Sequence, residues 1–559
     1  MLLLHSSWLK TRSQRLPPPL AEFVLSQLAH RDDGDDNDVD CDTRGGRSVS
    51  HSPQEGVNIR EDGKVFNDPV HGHLYLPALA CDVVDTPQFQ RLRDVKQLGT
   101  THMVFPGATH TRFEHSLGTG WLASSMFNRF HAAQQRELGL ERHDGRVVAL
   151  AGLCHDLGHG PFSHVFDNEF MPRRSVHSFI KFEHEQMSAS MLEHLVDECN
   201  IDIDRDLVRD AQQLITAEGE QHHKTATSID DNDDCNGQFV SQRSKHRPAF
   251  LSEIVANKRN SVDVDKFDYI QRDTLYCGLK QSCDFNRMMK FCRVIGDEIC
   301  YKTTEVHNLY ELFHSRASLH QRVYSHPKGK GIEFMVADAM TYADSAWDNS
   351  ISSATQRPED FCRIDDTVLK QIELSREPEL QPARDIVSRI RRRDLYRFVN
   401  EFTVPTEYLN DFTPPREEDI TQCQRQNNIV QLEPQDIVVN NLKIDWAMKG
   451  QNKNPCDFVK FFKAAGSKDK FHIDRDKVSS LYPTTFLDRK VRVYSKKNDP
   501  DSIKAVSEAF EEYQLRSFSS TRQPAEHTPR KRKRLTSSSE YTQNVVSNNG
   551  SLSHRLSSM

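Results

Sequence analysis

Residues 151–167, AGLCHDLGHGPFSHVFD, set His155 and Asp156 side by side and follow them with His159 and His164. The run leading in, Arg146 to Leu157, reads as a buried helix, because Val147, Val148, Leu150, Ala151, Leu153, Cys154 and Leu157 leave little of its surface polar. A histidine next to an aspartate in so apolar a segment needs partners, since an unpaired buried charge is costly. A bound cation is the simplest partner.

Working outward, KVFNDPVHGHLYL (64–76) suggests a strand or tight turn. Asp85 to Leu98 reads as a helix entered through TPQF, and Arg112 to Phe130 as another. Downstream, FLSEIVANKRNSVDVDKFDYIQRD (250–273) has a helical pattern that sets Asp265, Asp268, Tyr269 and Arg272 on one broad face. The expected fold is mainly α, with helices to about residue 400. A smaller α+β C-terminal lobe is expected over 401–515, where IVVNNLKIDW and KVRVYSKK alternate. Three segments lack the pattern of a packed core and are expected to be disordered: the arm 1–62 with its PPP and DDGDDNDVD, the polar insertion 218–246, and the tail 516–559.

The 559 residues are enough for a large core, although a hydrophobic content of 36% is low and agrees with those segments. A net charge of -8 gives no global attraction to nucleic acid, so such binding would need a local basic patch. The 12 cysteines form no CxxC pair, which argues against a zinc ribbon or a secreted disulfide framework and for a reducing compartment. No stretch approaches the ~18 apolar residues of a membrane span, and MLLL is too short for a signal peptide, so a soluble chain is expected.

His115 of RFEHSLG, the pair His155 and Asp156, and a later carboxylate such as Asp265 make a mixed nitrogen and oxygen set. Such a set suits Fe, Mn, Zn or, less well, Mg, and leaves positions open for water or substrate. Closed structural zinc sites use cysteine more often, so the set points to a catalytic metal.

HDLGHGPFSH, RFEHSLG and DTPQFQRLRDVKQLG (85–99) together resemble the HD-domain deoxynucleoside triphosphate triphosphohydrolases, in particular the vertebrate kind that carries a sterile alpha motif. The resemblance runs from about Lys64 to about Asp499 and implies an HD catalytic domain over 63–400. It implies metal ligands at His115, His155, Asp156 and Asp265, and hydrolysis of a dNTP to deoxynucleoside and inorganic triphosphate. By the same resemblance His164 is the general acid, supported by His159, His184 and Asp167. Arg112, Lys266, Tyr269, Arg316, His320 and Tyr324 would hold the triphosphate; the last three, spaced i, i+4 and i+8, are expected on one helix face. Gln97 and Asp273 would read the 3′-hydroxyl, with Leu98 and Tyr324 crowding the 2′ position.

The resemblance further implies a homotetramer activated by GTP or dGTP at Lys64, Asp85, Gln90 and Arg93, and by a dNTP at Val104, Phe105, Asn308, Arg322 and Arg384. Thr304 and Ser388 stand where the family has lysines and Lys302 where it has an arginine, so the second activator site is expected to be weaker. Residues 1–62 are not expected to supply a sterile alpha motif. In the tail, PRKRKRL (529–535) reads as a nuclear localisation signal or a patch for single-stranded nucleic acid, with nuclear, and also cytoplasmic, location expected. Thr528 opens TPRK, a proline-directed phosphorylation site of the type a cyclin-dependent kinase uses. The rival readings are an HD-family phosphodiesterase or nuclease, and a nucleic-acid-binding protein with a weakened site.

Overall fold

The computed structural model describes residues 63–174, 182–216, 248–409, 411–425, 429–447 and 452–518. The arm 1–62, the insertion 218–246, the basic run and Thr528 lie outside the described residues.

The NDPVHGH stretch folds the chain back as an antiparallel hairpin of β1 (Lys64–Asp68) and β2 (Gly72–Leu76), with Asp68 opposite Gly72. Asp68 shapes the turn: its Oδ1 accepts the backbone N–H groups of Val70 and His71 at 2.9 and 2.8 Å. The expected helix over Asp85–Leu98 is corrected by the structure. Thr86 caps only the short helix Pro87–Gln90, which tightens into a 3-10 turn at Arg91–Asp94, after which Lys96 bridges to Thr111. The physical cause is tertiary. Arg91 turns inward, donating Nη1 to the Ile364 carbonyl and Nη2 to the Leu157 and His159 carbonyls, and the Lys96 N–H goes to Asp366 instead of a helical carbonyl.

α1 (Arg112–Leu138) runs well beyond the expected Phe130, and α2 spans Arg142–Cys154. Their entry points are set locally, with Glu114 accepting the Thr111 N–H at 2.9 Å and Asp144 accepting that of Glu141 at 2.9 Å. The two helices pack at close range because each presents glycine at the contact. A Cβ on Gly152 would lie 2.9 Å from that of Ala123, and one on Gly120 would lie 3.1 Å from that of Leu153. α2 ends at Cys154, so His155 and Asp156 sit at the start of a tight turn rather than inside the helix.

α3 (His184–Glu198) and α4 (Val264–Tyr276, capped by Asp263) complete the helices around this turn. α5 (Val306–Leu319) continues into a π-helical turn, His320–Tyr324, and α6 (Pro327–Ala346) packs with α7 (Gln381–Arg392). One continuous apolar core, including Phe89, Leu153, Leu157, Phe166, Phe267 and Phe313, joins these helices.

Strands are few. β3 (Cys292–Val294), β4 (Ile299–Lys302) and β7 (Phe461–Phe462) form a small sheet in that order, with β4 and β7 parallel. β5 (Arg397–Thr403), β8 (Leu487–Ser495) and β6 (Ile437–Asp445) form an antiparallel sheet ordered β5-β8-β6. The alternation along 437–446 and 490–497 falls in β6 and β8, and α8 (Pro500–Ser517) covers the sheet over a separate core of Phe402, Val491, Val493, Val506 and Phe510. The architecture is the mainly helical one expected, with a smaller sheet-containing C-terminal region.

Gly152→Val forces α2 off α1 and is expected to cost about 1–3 kcal/mol through overpacking. Chemical denaturation reads this directly, and a stability equal to wild type rejects the close-contact account.

Candidate active site

The turn after α2 delivers His155 and Asp156, while α1 brings His115 and the first turn of α4 brings Asp265. His115 Nε2 lies 3.3 Å from Asp156 Oδ2 and 3.2 Å from Asp265 Oδ1. His155 Nε2 lies 3.4 Å from Asp156 Oδ1 and 3.6 Å from Asp265 Oδ1. Both Nε2 atoms are buried and make no hydrogen bond, whereas the opposite ring nitrogens are held: His115 Nδ1 by Asp268 at 2.7 Å, His155 Nδ1 by the Gly152 carbonyl at 2.9 Å. Two orphaned imidazole nitrogens facing two carboxylates, each with its far nitrogen anchored, are what a divalent cation needs from its ligands. The residues therefore fit the metal that the resemblance implies.

The electrostatics agree. Burial alone would strip charge from His115, but the carboxylates of Asp265, Asp268 and Asp156 around the ring outweigh it and hold the ring pKa up to about 10. Burial likewise opposes ionisation of Asp156, yet Arg112, whose Nη1 donates to its Oδ2 at 2.6 Å, keeps the carboxyl well below the usual range. Carboxylates and imidazoles converging in this way favour a cation.

Alongside lies a second cluster. His159 Nε2 is 3.3 Å from Asp156 Oδ1 and its ring stacks on His184 at 4.0 Å. Asp167 Oδ2 lies 3.0 Å from His184 Nδ1 and 3.6 Å from His164 Nδ1. His164 is the exposed member, its side chain 63% accessible, while His159 is 1% accessible and its pKa is pushed well down by burial and by Arg112. Among the described residues, two groups of His, Cys, Asp and Glu lie close enough to share an ion: His115, His155 and Asp156, and His159, His164, Asp167 and His184; Asp265 stands outside the first, reaching it through its distances to His115 and His155.

Around them the other expected residues take varied places. Arg112 already spends its guanidinium on Asp156, Ser163 Oγ and the Gln97 carbonyl. Lys266 is half-buried against Asp263 at 3.1 Å, which outweighs burial and raises its pKa. Asp273 is bracketed by His110 at 2.7 Å and by the Tyr324 hydroxyl, and the buried Gln97 Oε1 has no partner. Arg316 donates to the Asp445 backbone carbonyl on β6 at 2.6 Å. The single α-helical face expected for Arg316, His320 and Tyr324 is corrected: the last two lie in the π-helical turn, which widens the spacing. Tyr269 and Leu98 are half-buried.

Of the residues expected to read activators, Lys64 pairs with Asp85, Gln90 donates to the Val84 carbonyl, and Arg93 donates to Gln90 while lying 3.5 Å above the Phe113 ring. Asn308 exchanges hydrogen bonds with Asp284, and Arg384 caps the Ser375 and Glu377 carbonyls. Arg322 is exposed, and Val104 and Phe105 are half-buried.

Sequence reasoning missed Asp366, whose Oδ1 accepts Phe162 N–H and whose Oδ2 accepts Lys96 N–H at 2.9 Å. It ties the Gln97 loop to the His164 loop, and burial pushes its carboxyl up to about 7 against those two donors. His71, Asp68 and His110 were also missed as partners of site residues; they carry no local signal, being distant in sequence from what they touch.

A family model described as HD domain matches residues 112–272, and one described as HD associated region matches 283–450. The chain is 41% identical over 457 residues to a deoxynucleoside triphosphate triphosphohydrolase SAMHD1 homolog from Dictyostelium discoideum, covering 81% of each protein. It is 39% identical to the Gallus gallus SAMHD1 over 80% of this chain and 74% of that protein, and 38% identical to the Homo sapiens one over 82% and 74%. The chain belongs to the SAMHD1 family of deoxynucleoside triphosphate triphosphohydrolases. His115, His155, Asp156, His159, His164, His184 and Asp265 of this family member all fall inside the HD-domain match. Among its described residues no helix is long and apolar enough to cross a membrane.

The His184–Asp167 contact gives a pH signature. Burial disfavours the charged imidazole, but Asp167 outweighs it and raises the His184 pKa above 6.5. The contribution to stability is fully present below 6.5 while Asp167 stays ionised, and it is lost as the pH rises through the raised value. Asp167→Asn should open a stability gap to wild type that is widest at mildly acidic pH and closes in alkali, as read by urea denaturation; a pH-independent gap rejects the pairing.

Proposed function

We propose that this chain is a metal-dependent hydrolase that cleaves deoxynucleoside triphosphates to deoxynucleoside and inorganic triphosphate, lowering cellular dNTP pools. The observation that carries this reading is the junction of the two clusters: His115, His155 and Asp156, with Asp265 against both imidazoles, meet a row of histidines through the 3.3 Å contact of His159 with Asp156. His115, His155, Asp156 and Asp265 would hold Fe, Mn, Zn or Mg. The bound ion would supply a water of lowered pKa and positive charge against the α-phosphate.

The protein's own residues then divide the remaining work. His164, exposed and 3.6 Å from Asp167, is the group able to hand a proton to the departing 5′ oxygen. Asp167 orients it, His184 balances the Asp167 charge, and the neutral His159 separates the proton donor from the metal ligands. Arg112, Lys266 and Arg316 supply positive charge to the phosphates, with Tyr269 and His320 as further donors. Gln97, whose Oε1 is an unused acceptor, and Asp273 are suited to a 3′-hydroxyl. Leu98 and Tyr324 leave little room at the 2′ position.

Control belongs elsewhere in this reading. Lys64, Asp85, Gln90 and Arg93 form a surface patch with the charges to take GTP or dGTP: Asp85 for the guanine edge, Arg93 for stacking or phosphate. Val104, Phe105, Asn308, Arg322 and Arg384 would contribute to a second, dNTP-binding position when four chains assemble, weakened by Thr304, Ser388 and Lys302. Thr304 Oγ1 donates to Glu305, which removes a donor as well as a cation from that position. Phosphorylation of Thr528 and nuclear import through 529–535 belong to the same proposal.

Incubation with dGTP, and with dATP plus GTP, is expected to release inorganic triphosphate from wild type and none from Asp156→Ala; triphosphate from neither would sink the reading, and nucleoside monophosphate would favour a phosphodiesterase. His164→Asn should lower kcat by about 10²–10⁴-fold. Asp85→Ala should raise the GTP concentration needed for dATP hydrolysis while leaving the products unchanged.

A further inference from the structure

Behind His115 lies a buried polar network that no part of the proposed reaction uses. Asp268 Oδ2 accepts from His115 Nδ1 at 2.7 Å, and its Oδ1 is 2.7 Å from His71 Nε2. Arg272, fully buried, grips both oxygens of Asp268, with Nε to Oδ2 and Nη2 to Oδ1 at 2.8 Å each. Its remaining arm, Nη1, donates to Asp68 Oδ2 at 2.8 Å. The other oxygen of Asp68 shapes the hairpin turn that presents His71, whose ring leans on Trp121 at 5.6 Å.

Three features separate this network from an ordinary internal ion pair. The His115 Nδ1 is committed to Asp268, so Nε2 is left as the lone pair that faces Asp156 and Asp265. α1 makes room for the carboxylate: a Cβ on Gly118 would lie 2.0 Å from Asp268 Oδ1 and 2.6 Å from Arg272 Nη2. Asp268 is also held from four sides, by His115, His71 and two arms of Arg272, so it can neither rotate nor swing away from the imidazole. A metal ligand held at its far nitrogen by a fixed carboxylate is both oriented and made more basic.

We infer that Asp68, His71, Asp268 and Arg272 are positioning residues for the metal, and that the β1–β2 hairpin is part of the metal site although it lies outside the HD-domain match. The inference rests on the reading of His115 as a metal ligand. Asp268 and Arg272 lie on α4 within the match, whereas Asp68 and His71 lie 44 and 41 residues before its first residue, Arg112. The hairpin's share is Asp68 and His71.

The test uses the full chain, stripped with a chelator and titrated with Co²⁺, whose visible absorption reports ligand geometry apart from turnover. Asp268→Asn should weaken Co²⁺ binding by about 10- to 100-fold and alter the absorption bands. His71→Phe, which keeps a ring against Trp121 but deletes the nitrogen, should weaken binding in the same direction, and His71→Gln, which restores a donor, should recover it. Circular dichroism of the metal-free proteins verifies folding; if Asp268→Asn does not fold, the His71 pair decides. Wild type and both His71 variants binding with equal affinity and identical spectra overturns the inference alone. Failure of wild type to bind Co²⁺ overturns the metal reading, and the inference with it.

Discussion

Two buried imidazole nitrogens, His115 Nε2 and His155 Nε2, point at two carboxylates without a hydrogen bond to either, and most of the helical core is arranged to keep them there. Leaving polar atoms bare in a dry interior is unfavourable. The fold sustains it by anchoring each ring on its far side and by pairing Asp156 with Arg112 and Asp268 with Arg272. His115, His155 and Asp156 are thereby preorganised for a cation.

That constraint propagates outward through close contacts. α1 and α2 can deliver His115 and His155 to one point because small residues let them approach, and α4 can set Asp268 behind His115 because Gly118 leaves the space open. The His164 loop is held from a different direction. Arg91 binds the carbonyls of Leu157 and His159, Ser163 Oγ donates to the Lys96 carbonyl, and Asp366 joins Phe162 to Lys96. The segment that carries Gln90 and Arg93 is thus bonded through its backbone and through Arg91 to the loop that carries the proposed acid.

Much of this was legible beforehand. The apolar run before His155 announced a buried helix, the alternation at 437–446 and 490–497 marked the strands β6 and β8, and residue types alone suggested a mixed nitrogen and oxygen site. The Asp85–Leu98 helix was misread because its local pattern is helical, while Arg91 and Asp366 capture the backbone groups that would have continued it. The Arg316–Tyr324 face was misread because an α-helical period was carried into a π-helical turn. Asp68, His71, His110 and Asp366 could not be recognised as partners of the site, since each acts on a residue far away in the chain.

The sequence by itself determined the chemistry on offer: which side chains are able to bind a metal or move a proton, and that they occur in apolar helical surroundings that force them to find partners. Periodicity and composition are local properties, and these features are local. Only the tertiary structure decided which nitrogen of each histidine is free, that Arg112 rests on Asp156, and that a hairpin before the HD domain reaches the back of His115. Those outcomes depend on contacts between segments up to 204 residues apart, as in the Asp68–Arg272 pair, and packing in three dimensions alone brings such groups within hydrogen-bonding distance.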